Sequence, residues 1–94
     1  MIKDIGMNFS EALAAVKVGC RIAREGWNGK GMFVYAVPGS TFEVNREPLK
    51  SILGEGTKVQ YNPHLDMKTA DGSVSVWVPS QNDLFADDWM LVKK

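Results

Sequence analysis

Apolar residues recur at helical spacing near the start of the chain, at positions i, i+3, i+4 and i+7. These positions are Phe9, Ala12, Leu13 and Val16. Asn8 and Glu11 have the spacing of a capping box, in which each side chain accepts a hydrogen bond from a free backbone N–H. Gly19 follows the last turn, where glycine readily adopts the left-handed conformation that ends a helix. The pattern therefore predicts a helix from Asn8 to Val18.

Beyond this helix, short apolar or alternating stretches bounded by glycine, proline and aspartate predict a series of strands. The predicted strands are Cys20–Arg24, Met32–Val37, Phe42–Asn45, Thr57–Tyr61, Leu65–Thr69, Ser73–Val78 and Trp89–Val92. Short helices are predicted over Pro48–Leu53 and Ser80–Ala86. Asp71-Gly72 predicts a two-residue hairpin turn. The fold class expected is α+β: a small single domain, mostly antiparallel sheet, with an N-terminal helix and one or two short helices.

The length and charge of the chain narrow its possible roles. Ninety-four residues allow one domain, 1–94, with a thin core, so a ligand cleft between subunits is more economical than a deep internal cavity. Eleven basic residues balance eleven acidic ones, which argues against a DNA- or RNA-binding surface. Cys20 is the single cysteine, which fits a reducing compartment. No apolar run approaches the ~20 residues needed to span a membrane, and the N-terminus lacks the apolar stretch of a signal peptide. We therefore expect a cytoplasmic protein without a membrane partner.

Groups that could carry catalysis are few. His64 is expected to be a turn residue that hydrogen-bonds locally, and Cys20 has no activating neighbour in sequence. Asp87 and Asp88 are adjacent, would point different ways, and are expected to be solvated loop residues. The glycines of Gly26–Gly31 do not have the spacing of a phosphate-binding P-loop. We therefore expect no enzyme, no cofactor and no metal site.

A glycine-rich turn around the first tryptophan suits a flat anionic ligand. Trp27 offers an indole face for stacking, and the glycines of Gly26–Gly31 allow close approach to the backbone. Lys30 supplies a cation for phosphate, and Asn28 can pair with a base edge or a ribose hydroxyl. Arg24 could add a bidentate clamp. The alternatives are that Trp27 fills a subunit interface or covers a sheet edge, and that both cations are ordinary solvated charges.

The second tryptophan lies in a strand that leads into a short helix. In a regular strand Trp77 falls on the face opposite the alternate valines of Val74–Val78, and an exposed indole there requires a covering partner. Polar groups follow at the predicted helix N-terminus, where free N–H groups attract anions. They are Ser80, Gln81 and Asp83. Helix capping by Ser80 and Asp83 explains them equally well, and Trp89 is expected to anchor the core.

Several motifs in fixed order resemble one family, the small phage and prophage domains that include the second type of Thoeris anti-defence protein. They are Met7–Leu13, Gly26–Phe33, Pro38–Phe42, His64–Gly72, Ser80–Asp83 and Asp88-Trp89. The resemblance runs from Met7 through nearly the whole chain. Residues 1–6 fall outside it and are expected to form a peripheral extension.

The resemblance implies a function as well as a fold. Such proteins act as sponges: they bind the glycocyclic ADP-ribose made by a TIR-domain enzyme, without cleaving it, and so keep the Thoeris effector inactive in the cytoplasm of the infected host. It also implies a homo-oligomer, typically a tetramer, with pockets between protomers. The family's ligand-contacting tryptophans match Trp27 and Trp77. Four further residues of the matching motifs are candidates for the same site. They are Phe9, Asn28, Gln81 and Asp83.

Three alternatives to this function remain at the level of sequence. The same domain could bind mainly cyclic dinucleotides, which some members hold at a separate site. It could be a phage structural or interaction domain whose tryptophans seal subunit contacts. It could be an enzyme that degrades the signal, which the missing catalytic groups make the weakest alternative.

Overall fold

The computed structural model describes residues 4–27 and 30–93. Along the chain the elements are α1 (Phe9–Lys17), β1 (Ile22–Arg24), β2 (Phe33–Val37), β3 (Ser40–Glu43), α2 (Leu49–Leu53), β4 (Lys58–Tyr61), β5 (His64–Lys68), β6 (Val74–Val76), α3 (Gln81–Phe85) and β7 (Trp89–Leu91). Five strands form one sheet in the order β6-β5-β2-β1-β7, and β3 pairs with β4. All of these pairs are antiparallel, which confirms the α+β class.

Helix α1 forms as the pattern predicts. Asn8 accepts a hydrogen bond from the Glu11 backbone N–H at 2.8 Å, and the Glu11 carboxylate accepts one from the Asn8 N–H at 3.1 Å. Gly19 has a φ of 104°, the left-handed conformation that suits glycine after a helix. The apolar side of α1 packs on one face of the five-stranded sheet, where Val16, Ile22 and other residues are fully buried. We call this side the covered face.

The N-terminal segment lies along β7. Met7 is fully buried and pairs with Trp89, and the Leu91 N–H donates to the Asp4 carbonyl at 2.9 Å. The side chains of Lys93 and Asp4 form an ion pair at 2.9 Å. The described part of the predicted extension, residues 4–6, therefore adds to an edge of the sheet.

Residues 40–61, here called the arm, extend away from the sheet. The arm consists of β3, α2 and β4, and its two strands contact only each other among the described elements. The Cα radius of gyration is 16.1 Å, against about 12 Å for a compact chain of this length. Strand β3 begins two residues earlier than predicted because Gly39 lets the two strands of the arm approach closely. A Cβ on Gly39 would lie 3.0 Å from the Tyr61 carbonyl oxygen.

The hairpin between β5 and β6 differs from the prediction of a two-residue turn. The Gly72 N–H donates to the Thr69 carbonyl at 3.1 Å, and the Thr69 N–H donates to the Ser73 carbonyl at 2.9 Å. The loop therefore has three residues, Ala70-Asp71-Gly72, with Gly72 at a φ of 92°. Such loops place glycine in the left-handed position after a normal turn. Asp71 occupies the centre of the turn, where the Thr69 hydroxyl and Ser73 lower its pKa to about 2.

Candidate functional site

An aromatic cluster centres on Trp89, the first residue of β7. Trp89 is fully buried, and its indole N–H donates to the Asp83 carbonyl oxygen at 2.9 Å. This hydrogen bond satisfies the single polar atom of the ring, so the remainder can serve as core. The prediction that Trp89 anchors the core is confirmed.

Trp27 and Trp77 both lie against Trp89. Their ring centroids are 5.4 Å and 6.0 Å from that of Trp89, each with an interplanar angle of 80°. Phe9 on α1 completes the group, with its centroid 5.5 Å from Trp89 and 6.3 Å from Trp77. We call these four residues the tryptophan cluster. The structure thus brings together two segments that lie 50 positions apart in the sequence.

The position of Trp77 corrects one expectation. An exposed indole with a missing partner was expected on this strand, but Trp77 is half-buried and packs on the core. Its backbone N–H donates to the Leu65 carbonyl at 2.9 Å, which extends the pairing with β5. The alternate valines face the other way and are the exposed side chains of the strand.

Arg24 lies beside the tryptophan cluster and joins two carboxylates. Its Nε donates to Asp88 Oδ1 at 2.9 Å, and its Nη1 donates to Asp83 Oδ1 at 3.0 Å. The Arg24 side chain is 22% exposed, which leaves it partly shielded from solvent. Two of its donors are therefore committed to the protein, so Arg24 is built to position the surrounding loops.

The charges of this network stabilise one another. The hydrogen bonds that Arg24 donates to Asp88 and Asp83 raise its pKa above the ordinary value. The hydrogen bond from Arg24 lowers the pKa of Asp88. Burial alone would raise the pKa of Asp83, but hydrogen bonds from Ser80 and Arg24 outweigh it and lower that pKa. All three groups are therefore charged at neutral pH.

Gly26 ties the first tryptophan segment into this network. Its backbone N–H donates to Asp88 Oδ2 at 2.9 Å, and a Cβ on Gly26 would lie 2.9 Å from that same oxygen. Real Cβ atoms are essentially never so close, so a side chain at position 26 would force the Asp88 carboxylate to shift away from its partners. The Trp27 N–H donates to the Arg24 carbonyl at 3.2 Å, which fixes the turn that carries the indole.

Ser80 and Asp83 form the capping box of α3. The Asp83 N–H donates to the Ser80 hydroxyl at 3.0 Å, and the Ser80 N–H donates to Asp83 Oδ2 at 2.9 Å. The capping interpretation of these two residues is therefore confirmed. Asp83 uses its second oxygen for Arg24, so it serves both the helix and the network. Gln81 follows Ser80 as the first residue of α3 and is exposed.

Lys30 is exposed. Together with Arg24, Trp27 and Met90 it lines an open cleft of about 300 Å³. Asn28, the other polar candidate of this segment, lies outside the described residues. The cleft offers a cation, an indole and a neighbouring guanidinium to a ligand.

Asp88 is the residue that the sequence interpretation missed. It was expected to be solvated, yet its two oxygens hold Arg24 and the Gly26 N–H. Asp87 beside it is exposed, as expected. The partners of Asp88 lie more than 60 positions away in sequence, so local pattern contains no sign of them. The order Asp-Trp, repeated in the family motif, was the one available signal.

No group of three or more histidine, cysteine, aspartate or glutamate side chains is placed to hold a metal ion within residues 4–27 and 30–93. The His64 ring contacts the Asn62 carbonyl oxygen through Nδ1 at 3.0 Å, the local contact expected of it.

In the part of the chain described, no helix is both long enough and apolar enough to span a membrane.

Comparison with known proteins identifies the family of this chain. The model of the Tad2-like family, the Thoeris anti-defense 2-like domain, matches residues 7–92. Thoeris anti-defense 2 of Bacillus phage SP01 is 38% identical over 91 residues, which cover 92% of this chain and 94% of that protein. The match to the family model begins at Met7 and so leaves out residues 1–6. The chain belongs to the Thoeris anti-defense 2-like family.

Proposed function

We propose that this protein is a phage anti-defence sponge that acts in the cytoplasm of the infected bacterium. It binds glycocyclic ADP-ribose made by a TIR-domain enzyme, does not cleave it, and thereby prevents activation of the Thoeris effector. Membership of the Thoeris anti-defense 2-like family supports the anti-defence role. The observation that carries the binding role is the convergence of Trp27 and Trp77 on Trp89.

The geometry of the two indoles supports stacking with a ligand. Neither Trp27 nor Trp77 is stacked face to face on Trp89, since both pairs are near-perpendicular. A flat base can therefore lie against either ring while Trp89 stays in the core. Phe9 supports Trp77 from α1, at 44° between the ring planes. Both half-buried rings are held in place before any ligand arrives, which lowers the entropic cost of binding.

The charges near the indoles divide into two roles. Arg24 is held by Asp83 and Asp88 and keeps the loops of both tryptophans in register. Lys30 lines the cleft beside Trp27 and supplies a cation for a phosphate group. The polar groups at the start of α3, Ser80 and Gln81, lie on the chain between Trp77 and Asp83 and are proposed to contact the ribose or base.

The required affinity limits what one copy can do. A sponge must compete with the effector, so nanomolar binding, about −12 kcal/mol, is the relevant scale. Stacking of the ligand's one base on an indole contributes about 1–3 kcal/mol. The remainder must come from phosphate contacts and from a pocket closed by a second protomer. We therefore propose a homo-oligomer, specifically a tetramer, in which ligand binding also stabilises the assembly.

A capture experiment tests the proposal. The purified protein is incubated with glycocyclic ADP-ribose, free ligand is measured, and the protein is then heat-denatured and the released molecule analysed. We expect depletion followed by recovery of intact ligand. An altered product would make the protein an enzyme, and no depletion would reject the sponge. Cyclic dinucleotides measured in parallel decide whether they are the main ligand.

Substitution of the two indoles locates the site. We expect Trp27→Ala and Trp77→Ala each to weaken capture by about 5- to 150-fold, since each loses a stacking contact of ~1–3 kcal/mol. Phe42→Ala is the matched control, because Phe42 is a partly exposed aromatic residue on the arm. Folding of each variant is checked by circular dichroism. Full capture by both folded tryptophan variants would place the ligand elsewhere.

A further inference from the structure

The five-stranded sheet has a second face that no described element covers. α1 packs on the covered face. α3 is bonded to the same side, because Asp83 accepts hydrogen bonds from Trp89 and Arg24, and α2 contacts no strand of this sheet. The strand registers place two rows of side chains on the uncovered side, which we call the open face. One row is Met90, Ala23, Phe33, Lys68 and Val74, and the other is Val92, Arg21, Tyr35, Asp66 and Val76.

The open face is strongly apolar for a surface. Val74, Val76 and Val78 are 53%, 62% and 80% exposed along one margin. Phe33 and Tyr35, at the centre of the face, are only half-buried, and their rings lie 6.0 Å apart. Contiguous apolar surface of this kind normally marks an interface. An antiparallel sheet that faces water would instead carry polar side chains on that side.

The charges on the open face are arranged around Tyr35. Arg21 on β1 and Asp66 on β5 flank Tyr35 in one row, because β2 lies between those strands. The Arg21 guanidinium lies 5.0 Å from the Phe33 ring centre, and no described carboxylate pairs with it. Asp66 Oδ1 is buried without a hydrogen bond, and His64 Nε2, 3.4 Å away, forms an ion pair with it only if the ring is protonated. A buried carboxylate oxygen of this kind calls for a donor.

We propose that a second copy of this chain packs on the open face about a two-fold axis at Tyr35. A rotation about the strand direction there exchanges the two sides of the row, so Arg21 faces Asp66 of the partner subunit. The reverse contact forms at the same time, as in any isologous interface. Facing sheets lie about 10 Å apart, a gap that an arginine and an aspartate can bridge. The missing donor for Asp66 is then the partner's Arg21.

Self-complementarity identifies a second copy as the occupant. A face with both charges placed symmetrically about one aromatic residue matches itself, without any other protein. This interface is one contact within the homo-oligomer of the proposed function, and it rests on that proposed function only for the existence of an oligomer. The test uses no ligand, so failure of the interface and failure of signal capture are separate results.

Charge exchange tests the interface. The mass of the full chain is measured by sedimentation and light scattering over micromolar concentrations. We expect Arg21→Asp and Asp66→Arg each to weaken self-association by about tenfold or more, because each places like charges in contact twice per interface. The double variant should regain association, since opposite charges face each other again. Arg46→Asp, a charge reversal at an exposed position on the arm, should leave the mass unchanged.

A further substitution guards against a misfolded variant. Val76→Glu places a charge in the middle of the interface at a position that is 62% exposed in the single copy. We expect it to remain folded by circular dichroism and to lose the association. A wild-type protein that stays a single copy would overturn the proposal. The proposal would also be overturned if Ile52→Glu on the arm dissociated the protein while Arg21→Asp and Val76→Glu kept the wild-type mass.

Discussion

The two faces of the five-stranded sheet are both apolar, yet they have different fates in a single copy. On the covered face Ile22 and Val34 are fully buried beneath α1. On the open face the neighbouring residues Phe33 and Tyr35 are only half-buried, and the valines of β6 are exposed. Successive residues of β2 thus alternate between the buried core and a face that is only partly buried. A thin domain can therefore reserve apolar surface for a partner without losing its own fold.

The largest expected effect lies at the centre of the covered face. Trp89→Ala should lower the free energy of unfolding by about 3–5 kcal/mol, because it removes a fully buried indole and leaves a cavity. Denaturant titration followed by circular dichroism measures the change. Trp77→Ala is the comparison, since Trp77 is half-buried and should cost less. Equal losses in the two variants would contradict the central role assigned to Trp89.

A pair of adjacent substitutions compares the faces directly. At concentrations where the protein is a single copy, Val34→Ala should cost about 1.5–3 kcal/mol, since it removes fully buried methyl groups. Tyr35→Ala should cost less there, because its ring is partly solvated already. At higher concentration the loss for Tyr35→Ala should grow, as association adds stability to the wild type alone. Thermal unfolding at several concentrations makes the measurement. Losses independent of concentration would argue against the open face as an interface.

The smallest effect concerns the charged network beside the cluster. Asp88→Asn removes the charge that Arg24 and the Gly26 N–H share, and should cost about 1–2 kcal/mol at neutral pH. The pKa of Asp88 is lowered by folding, so its contribution is full above the unfolded pKa of about 4 and is lost as pH falls through the lower folded pKa. The gap between wild type and variant should therefore narrow in acid. A gap that stays constant from pH 6 to pH 2 would show that the charge of Asp88 is not involved.

Local pattern predicted the elements of the fold well. The capping boxes at Asn8 and Ser80 depend on residues three positions apart, and both form as read. The hairpin after β5 was wrong by one residue, because Gly72 could close either a two-residue or a three-residue loop. The sequence could not predict that the arm extends away from the sheet. Its strands have a short alternating pattern, and this pattern is the same in exposed strands and in buried ones.

The site was harder to predict because its contacts are distant in sequence. The motifs singled out Trp27 and Trp77, but their common partner Trp89 was assigned to the core alone. The role of Arg24 depends on Asp83 and Asp88, and neither partner is visible from the residues beside it. Exposure was also misassigned on β6: alternation separates the two faces of a strand but does not say which face is covered.

The near-perpendicular packing of three indoles has a spectroscopic consequence. Trp27 and Trp77 both lie within 6.0 Å of Trp89, close enough for their excited states to couple. Such coupling gives the folded protein a far-ultraviolet dichroic band that arises from the ring arrangement and not from the backbone. A base that stacks on an outer ring changes that band and quenches the emission. The central indole therefore reports folding, and under the proposed function we expect the outer pair to report occupancy.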